Sequence, residues 1–228
     1  EFIQKLSTQV SLPERVDVIV SDLRGMLPMF QHHLPSIVDA RQRFLKPGGV
    51  LIPQRDTMWI AVVEAPDLYR FYTAPWDENA HGLNMKAARK IATNTWHRGR
   101  VKPEQLLMEP GCWSTLDYTV LEKPDVNGEV SLVATGEGTA HGLSVWFDSE
   151  LTEGVSISNA PTAPELIYGN AFFPISNSVP LTAGDTISIE IYANLVGEDY
   201  IWRWNTFVLS QGQREHVKAD FKQSTFYG

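Results

Sequence analysis

Cysteine is nearly absent from this chain: Cys112 stands alone among 228 residues. One thiol excludes an internal disulfide framework and any zinc cluster built on cysteines alone. Long apolar runs are missing too; none approaches the roughly 18 residues of a membrane span. No basic stretch leads into a hydrophobic segment with a small-residue cleavage site, so no secretory signal is visible. These absences predict a soluble, cytoplasmic protein with no membrane attachment. Basic residues are outnumbered, 19 against 27 acidic, for a formal charge of −8. Nucleic acid is therefore not an expected partner, because phosphate binding needs a basic face. The nucleophile elbow, the phosphate-binding P-loop and the His-Glu-x-x-His zinc motif do not occur. Gly136-Glu137-Gly138-Thr139-Ala140-His141-Gly142 lies between β segments and opens no helix, so it reads as a hairpin or bulge. Cys112, in a turn after Pro110-Gly111, has no clear His partner and is a weak candidate nucleophile. The adjacent His32 and His33 have poor spacing for a metal, and no metal site is expected.

What is present is ample material for a core: 43% hydrophobic residues, with seven Trp, seven Tyr and ten Phe. That suffices for one large domain or two small ones. Val16–Val20 is a short β-branched run that predicts a buried parallel strand. From Ser36 to Lys46, Ile37, Ala40, Phe44 and Leu45 fall on one helical stripe, with Pro35 at the start and Pro47-Gly48-Gly49 as the stop. Val50–Ile52 follows as a second strand, completing a βαβ unit. Two strands cannot make such a sheet alone, and the chain opens on Glu1; a fragment of a longer protein is expected.

Beyond Asp56 the texture is mostly β, with strands predicted over Thr57–Glu64, Ser114–Leu121, Val130–Ala134, Leu143–Phe147, Val155–Ser158, Thr186–Tyr192 and Tyr200–Val208. Many short strands between Gly, Pro and Asn turns imply a sandwich or barrel. Trp59, Trp146, Trp202 and Trp204 are read as core. One helical segment, His81 to Thr93, interrupts the strands. Its stripe of Leu83, Ala87, Ala88, Ile91 and Ala92 opposes Lys86, Arg89 and Lys90, and needs a partner surface in the same chain or a second copy.

The segment Ser21-Asp22-Leu23-Arg24-Gly25-Met26-Leu27-Pro28 lies just past the carboxyl end of the first strand, where open α/β sheets place their ligand crevice. Asp22 can accept hydrogen bonds from a cationic or amino ligand, and Arg24 could pair with it or clamp a carboxylate. Gln31-His32-His33 follows, and a histidine here is a sensible proton acceptor. Neighbouring side chains point to different faces, so at most one of the two histidines faces the crevice.

Taken in order, these segments resemble the protein arginine methyltransferase family. The matching text is Val16-Asp17-Val18-Ile19-Val20-Ser21-Asp22, Gly25, Ala40-Arg41, Leu45-Lys46-Pro47-Gly48-Gly49 and Leu51-Ile52-Pro53, then Gly142-Leu143-Ser144-Val145-Trp146-Phe147-Asp148 and Ser158-Asn159-Ala160-Pro161. The resemblance implies a mixed α+β chain. Residues 1–54 would be the distal part of a Rossmann-like methyltransferase domain, and residues 55–228 a β-barrel with a helical dimerisation arm at about 77–95. It implies an S-adenosylmethionine-dependent methyltransferase acting as a homodimer on a protein, peptide or small-molecule acceptor. The main cofactor-binding motif would lie outside this chain, Ser21 would touch the cofactor, and no metal is implied. Asp22 and Gln31 stand where the family carries two glutamates that hold the substrate guanidinium, with Arg24, His32 and His33 beside them. Tyr168 and Asn170 fall in the acceptor-binding barrel loop, where Leu166-Ile167-Tyr168 replaces the family's Thr-His-Trp. These departures do not support arginine as the acceptor, which stays open, and the chain by itself is expected to be inactive. The competing expectation is a non-catalytic dimerising or binding module that kept the barrel.

Overall fold

The computed structural model describes residues 2–77, 82–211 and 216–227. The chain begins with a parallel pair, β1 (Val16–Val20) and β2 (Leu45–Ile52), joined through helix α1 (His33–Phe44). The helix starts three residues ahead of Ser36, because Pro35 is tolerated in a first turn that needs no N–H from it. It ends at Phe44, and β2 begins at once, so Lys46 belongs to the strand, where its Nζ meets Asp17 Oδ1 at 2.9 Å. Pro47-Gly48-Gly49 does not stop the helix, which has already ended, but sits inside β2. The pairing slips between Val16↔Leu45 and Val18↔Val50, and Gly48 takes a positive φ of 75° there.

A further sequence expectation fails in this unit. Among the described residues β1 pairs only with β2 and is not a buried strand; Val18 and Val20 are exposed. A parallel strand is buried by neighbours on its edges and helices on its faces. Among the described residues β1 has one neighbour and one helix.

The remaining strands form two sheets. Six strands, β3 (Arg55–Val63), β4 (His97–Gly99), β5 (Gly111–Asp117), β7 (Gly138–Thr152), β8 (Val155–Ser158) and β9 (Asn170–Leu181), make one, ordered β4-β9-β7-β3-β5 with β8 on β7. β6 (Val126–Val133), β10 (Thr186–Val196), β11 (Asp199–Leu209) and β12 (Val217–Ser224) make the other, ordered β12-β11-β10-β6. The sheets approach along both margins, β5 beside β6 and β12 beside β9, and enclose one core. Strict alternation builds it: Met58, Ile60 and Val62 from β3, Val145 and Phe147 from β7, Ile187, Ile189 and Ile191 from β10, and Trp202 and Trp204 from β11 are buried. Phe173 meets Trp202 and Trp204 edge-on, at 5.4 and 5.1 Å between ring centroids. The loop at Gly136–Gly142 opens β7, and its pairing with β9 slips between Ala140 and Gly142, so the bulge reading is correct. Cys112 lies in β5 rather than in a turn, beside the slip that displaces Trp113.

The helical insert has two helices where the sequence suggested one. α2 (Pro66–Asp77) precedes α3 (Lys86–Thr93), and His81 lies outside the described residues. Pro75 within α2 and its run of aromatic residues hid it from pattern reading. Arg89 is the residue of α3's polar side that turns toward the protein, while Lys86 and Lys90 are exposed and Ala88 and Ala92 of the stripe are half-buried. Arg89 donates to Ser176 O at 2.7 Å and Tyr69 Oη at 2.9 Å and pairs with Asp77. Leu83 and Ile91 are left exposed. β9 and β12 were also unread. Gln223 on β12 bonds Pro174 O at 2.9 Å, and Asn94 Oδ1 accepts the Ser224 N–H at 2.7 Å, so this strand ties the helical insert to the sheets.

Candidate functional site

The loop after β1 runs under the six-stranded sheet. Its central residue is Arg24, whose side chain is 1% exposed. Nη1 donates to Asp56 Oδ1 at 3.0 Å, and the guanidinium lies over the Phe147 ring, 5.0 Å from its centroid. Asp56 is fully buried on the inward face of β3 and also accepts the Tyr118 hydroxyl at 2.5 Å. Burial pushes the Asp56 carboxyl above the ordinary range against the opposing pull of Arg24. The Tyr118 phenol is pushed well up by burial and by the neighbouring carboxylate. Arg24 is thus committed to the interior and is not displayed to the crevice as a carboxylate clamp.

Asp22 is exposed at the mouth of the crevice. Its Oδ2 accepts the Tyr168 hydroxyl at 2.8 Å, and its Oδ1 lies 3.5 Å from Arg24 Nε, which makes no hydrogen bond among the described residues. Tyr168 meets Phe147 edge-on at 5.8 Å, so Asp22, Tyr168, Phe147 and Arg24 close into a ring of contacts. Ser21 donates its backbone N–H to Ile52 O at 2.9 Å and borders a cavity of about 440 Å³ between β1 and α1, lined by Leu12, Val18, Val20 and Phe44 among others.

The two histidines diverge as adjacent side chains must. His32 is exposed, with Nε2 2.7 Å from Glu198 Oε2 at the turn between β10 and β11. His33 is buried, neither ring nitrogen has a partner among the described residues, and it meets Tyr118 edge-on at 5.9 Å. Burial first, then the Arg24 charge, lowers its pKa to about 4, against Asp22. Gln31 is exposed and holds a positive φ of 44°, alone in this among the described non-glycine residues. Asn170 does not face the crevice: its amide donates to Asn159 O and accepts Val101 N–H at 3.1 Å.

The structure therefore brings Asp22, Arg24 and Tyr168 together, with His33 behind them, while Asn170 supports the loop. Three residues of this site escaped the sequence reading: Asp56, Tyr118 and Asn159. Asn159 donates to Met26 O at 3.2 Å and Gly169 O at 2.7 Å and accepts Phe147 N–H at 2.8 Å, fastening both loops to β7. The signal for Asp56 was available. It shares the apolar face of its strand with Met58 and Ile60, and an acid there needs a buried partner.

Residues 54–204 match the family described as arginine methyltransferase oligomerization subdomain. This chain belongs to the arginine methyltransferase family. It is 28% identical over 214 residues to protein arginine N-methyltransferase 2 of Homo sapiens, covering 88% of this chain and 48% of that protein. With the Mus musculus counterpart it shares 30% over 200 residues, 82% of this chain and 44% of that one. The chain thus spans about half the length of these relatives. The fold resembles that of the Trypanosoma brucei PRMT1 enzyme–prozyme complex solved with AdoHcy, at TM-score 0.83 and 19% identity, covering 97% of this chain and 72% of that one. At that identity the likeness speaks for the fold. No helix among the described residues is long and apolar enough to cross a membrane, and no group of three or more metal-ligating side chains is found among them.

Proposed function

We propose that a protein carrying this chain is an S-adenosylmethionine-dependent N-methyltransferase, to which residues 1–54 contribute the distal part of the cofactor domain and residues 55–228 the barrel and dimerisation arm. The observation that carries the reading is the exposed Asp22 carboxylate at the carboxyl end of β1, held between the loop and the barrel by Tyr168. Methyl transfer from a sulfonium to nitrogen breaks S–C, forms N–C and releases a proton from the acceptor nitrogen. The protein's tasks are to align the acceptor, to let that proton leave and to exclude water. Asp22 orients the N–H of the acceptor. His33 lies behind it, buried and held neutral, with both ring nitrogens unpaired among the described residues.

The described residues do not by themselves fit the cofactor. Ser21 and the apolar cavity beside it form one edge, and no glycine-rich turn leads into a helix N-terminus that could cradle the nucleotide part. The open face of β1, with Val18 and Val20 exposed, suits cover by further sheet. The match to an oligomerization subdomain supports self-association, and the exposed Phe71, Leu83 and Ile91 of the arm suit a second copy. The reading also keeps the protein in the cytoplasm.

The test is turnover by the full-length protein, which Asp22→Ala should abolish; undiminished activity removes Asp22 from the site. One observation favours the non-catalytic module instead: Gln31, exposed on the loop beside Asp22, brings no second carboxylate to the site. Calorimetry with S-adenosylmethionine separates the two, since the module would take up none.

A further inference from the structure

The relatives are named for arginine, whose side chain ends in a guanidinium, and a guanidinium already sits at this site. Arg24 has Asp56 Oδ1 3.0 Å from Nη1 on one side and Asp22 Oδ1 3.5 Å from Nε on the other, with the Phe147 ring beneath it. Carboxylates flanking a planar cation that rests on an aromatic face form the environment a receptor for an arginine side chain provides. Here a residue of the loop itself fills it from the protein side, with its side chain almost wholly buried.

Little is left for a second guanidinium. Asp22 Oδ2 already accepts the Tyr168 hydroxyl at 2.8 Å and Oδ1 faces Arg24 Nε at 3.5 Å, so on this exposed carboxylate a bidentate fork would have to share both oxygens, whereas a single N–H needs only one open lone pair. Gln31 brings no charge. Arg24 cancels Asp56, so Asp22 alone must attract the acceptor.

We infer that Arg24 is a specificity-determining residue: an internal guanidinium that occupies the arginine subsite on Asp22, so that the acceptor is an alkylamine, a nitrogen meeting Asp22 through a single N–H, and not an arginine side chain. This rests on the reading above that Asp22 holds the acceptor.

The test is nitrogen-edited NMR of the chain, following the Arg24 Nε–H and the Ser21 and Tyr168 amides. The chain is titrated with N-acetyllysine amide and with N-acetylarginine amide. In the wild type, the lysine compound should shift the Ser21 and Tyr168 amides, and the arginine compound should leave all three signals in place. The double variant Arg24→Met, Asp56→Ala removes the cation with its buried partner, and should bind the arginine compound at least about tenfold tighter, the worth of one charge-assisted contact. Equal binding of the arginine compound by both proteins, or no gain in the double variant, overturns the inference and leaves the acceptor site standing. Failure of both compounds to bind either protein overturns the acceptor site, and the inference with it. Should the double variant not fold, the wild-type titration still decides: displacement of the Arg24 signal by the arginine compound refutes the claim.

Discussion

Asp56→Ala is the most informative single change available in this chain. Asp56 is wholly buried and is the acceptor for two groups that are themselves buried, the Arg24 guanidinium at 3.0 Å and the Tyr118 hydroxyl at 2.5 Å. Removing the carboxylate leaves a cation without its interior partner, and breaking a buried pair by deleting one member costs about 3–5 kcal/mol. The stranded Tyr118 hydroxyl adds about 1–3 kcal/mol of desolvation, although the two losses overlap because they share one acceptor. A total near 4 kcal/mol is a large fraction of the stability of an ordinary domain, roughly 5–15 kcal/mol. Urea unfolding of the chain, followed by its tryptophan fluorescence, reads this directly as a fall in midpoint. Arg24→Met added to Asp56→Ala should recover most of the loss, since a pair replaced by apolar groups is close to neutral. A single variant that loses less than about 1 kcal/mol would refute the buried network. So would a double variant as unstable as the single, because the penalty would then not arise from an orphaned charge.

Three further outcomes follow from the same geometry. His33 is held neutral down to about pH 4, whereas in the unfolded chain it takes a proton near pH 6.5. The fold therefore loses stability as pH falls from 6.5 towards 4, by about 3 kcal/mol in all, and His33→Leu should flatten the urea midpoint over that window relative to the wild type. Gly128→Ala places a methyl group against the Trp113 backbone carbonyl, which cannot swing aside. A loss of about 1–3 kcal/mol in urea unfolding is expected, and an unchanged midpoint would contradict the packing of β5 on β6. Ile91→Glu puts a charge on the exposed apolar side of α3 and should weaken self-association at least about tenfold by sedimentation analysis. A dimer of unchanged affinity would move the interface elsewhere.

The parts legible in the sequence were those governed by local period. Ile187, Ile189 and Ile191 alternate, and so do Trp202 and Trp204; all five are buried as that alternation requires. The βαβ unit was readable from its β-branched runs and the stripe of α1. β9 was missed because Asn170–Leu181 contains Pro174, Pro180 and a polar Ser-Asn-Ser stretch, yet its position between β4 and β7 supplies the pairing that propensity does not. The stripe of α3 left its partner open between this chain and a second copy; Arg89 finds Ser176 O, Tyr69 and Asp77 together, which fixes the helix while Leu83 and Ile91 stay exposed.

The same reasoning explains why Asp22 could be placed from sequence and Arg24 could not. Asp22 is located by the strand that precedes it, a local fact. The direction of Arg24 depends on an acid 32 residues away in the chain, on the face of β3 that the acid occupies, and on a tyrosine beyond the next strand. Had Asp56 stood one position later, the period of two would have turned its carboxylate away from the core. Arg24 would then have lost its buried counter-charge and faced the crevice as a free cation. The register of one barrel strand thus decides whether the loop shows an acceptor a lone carboxylate or a cation beside it.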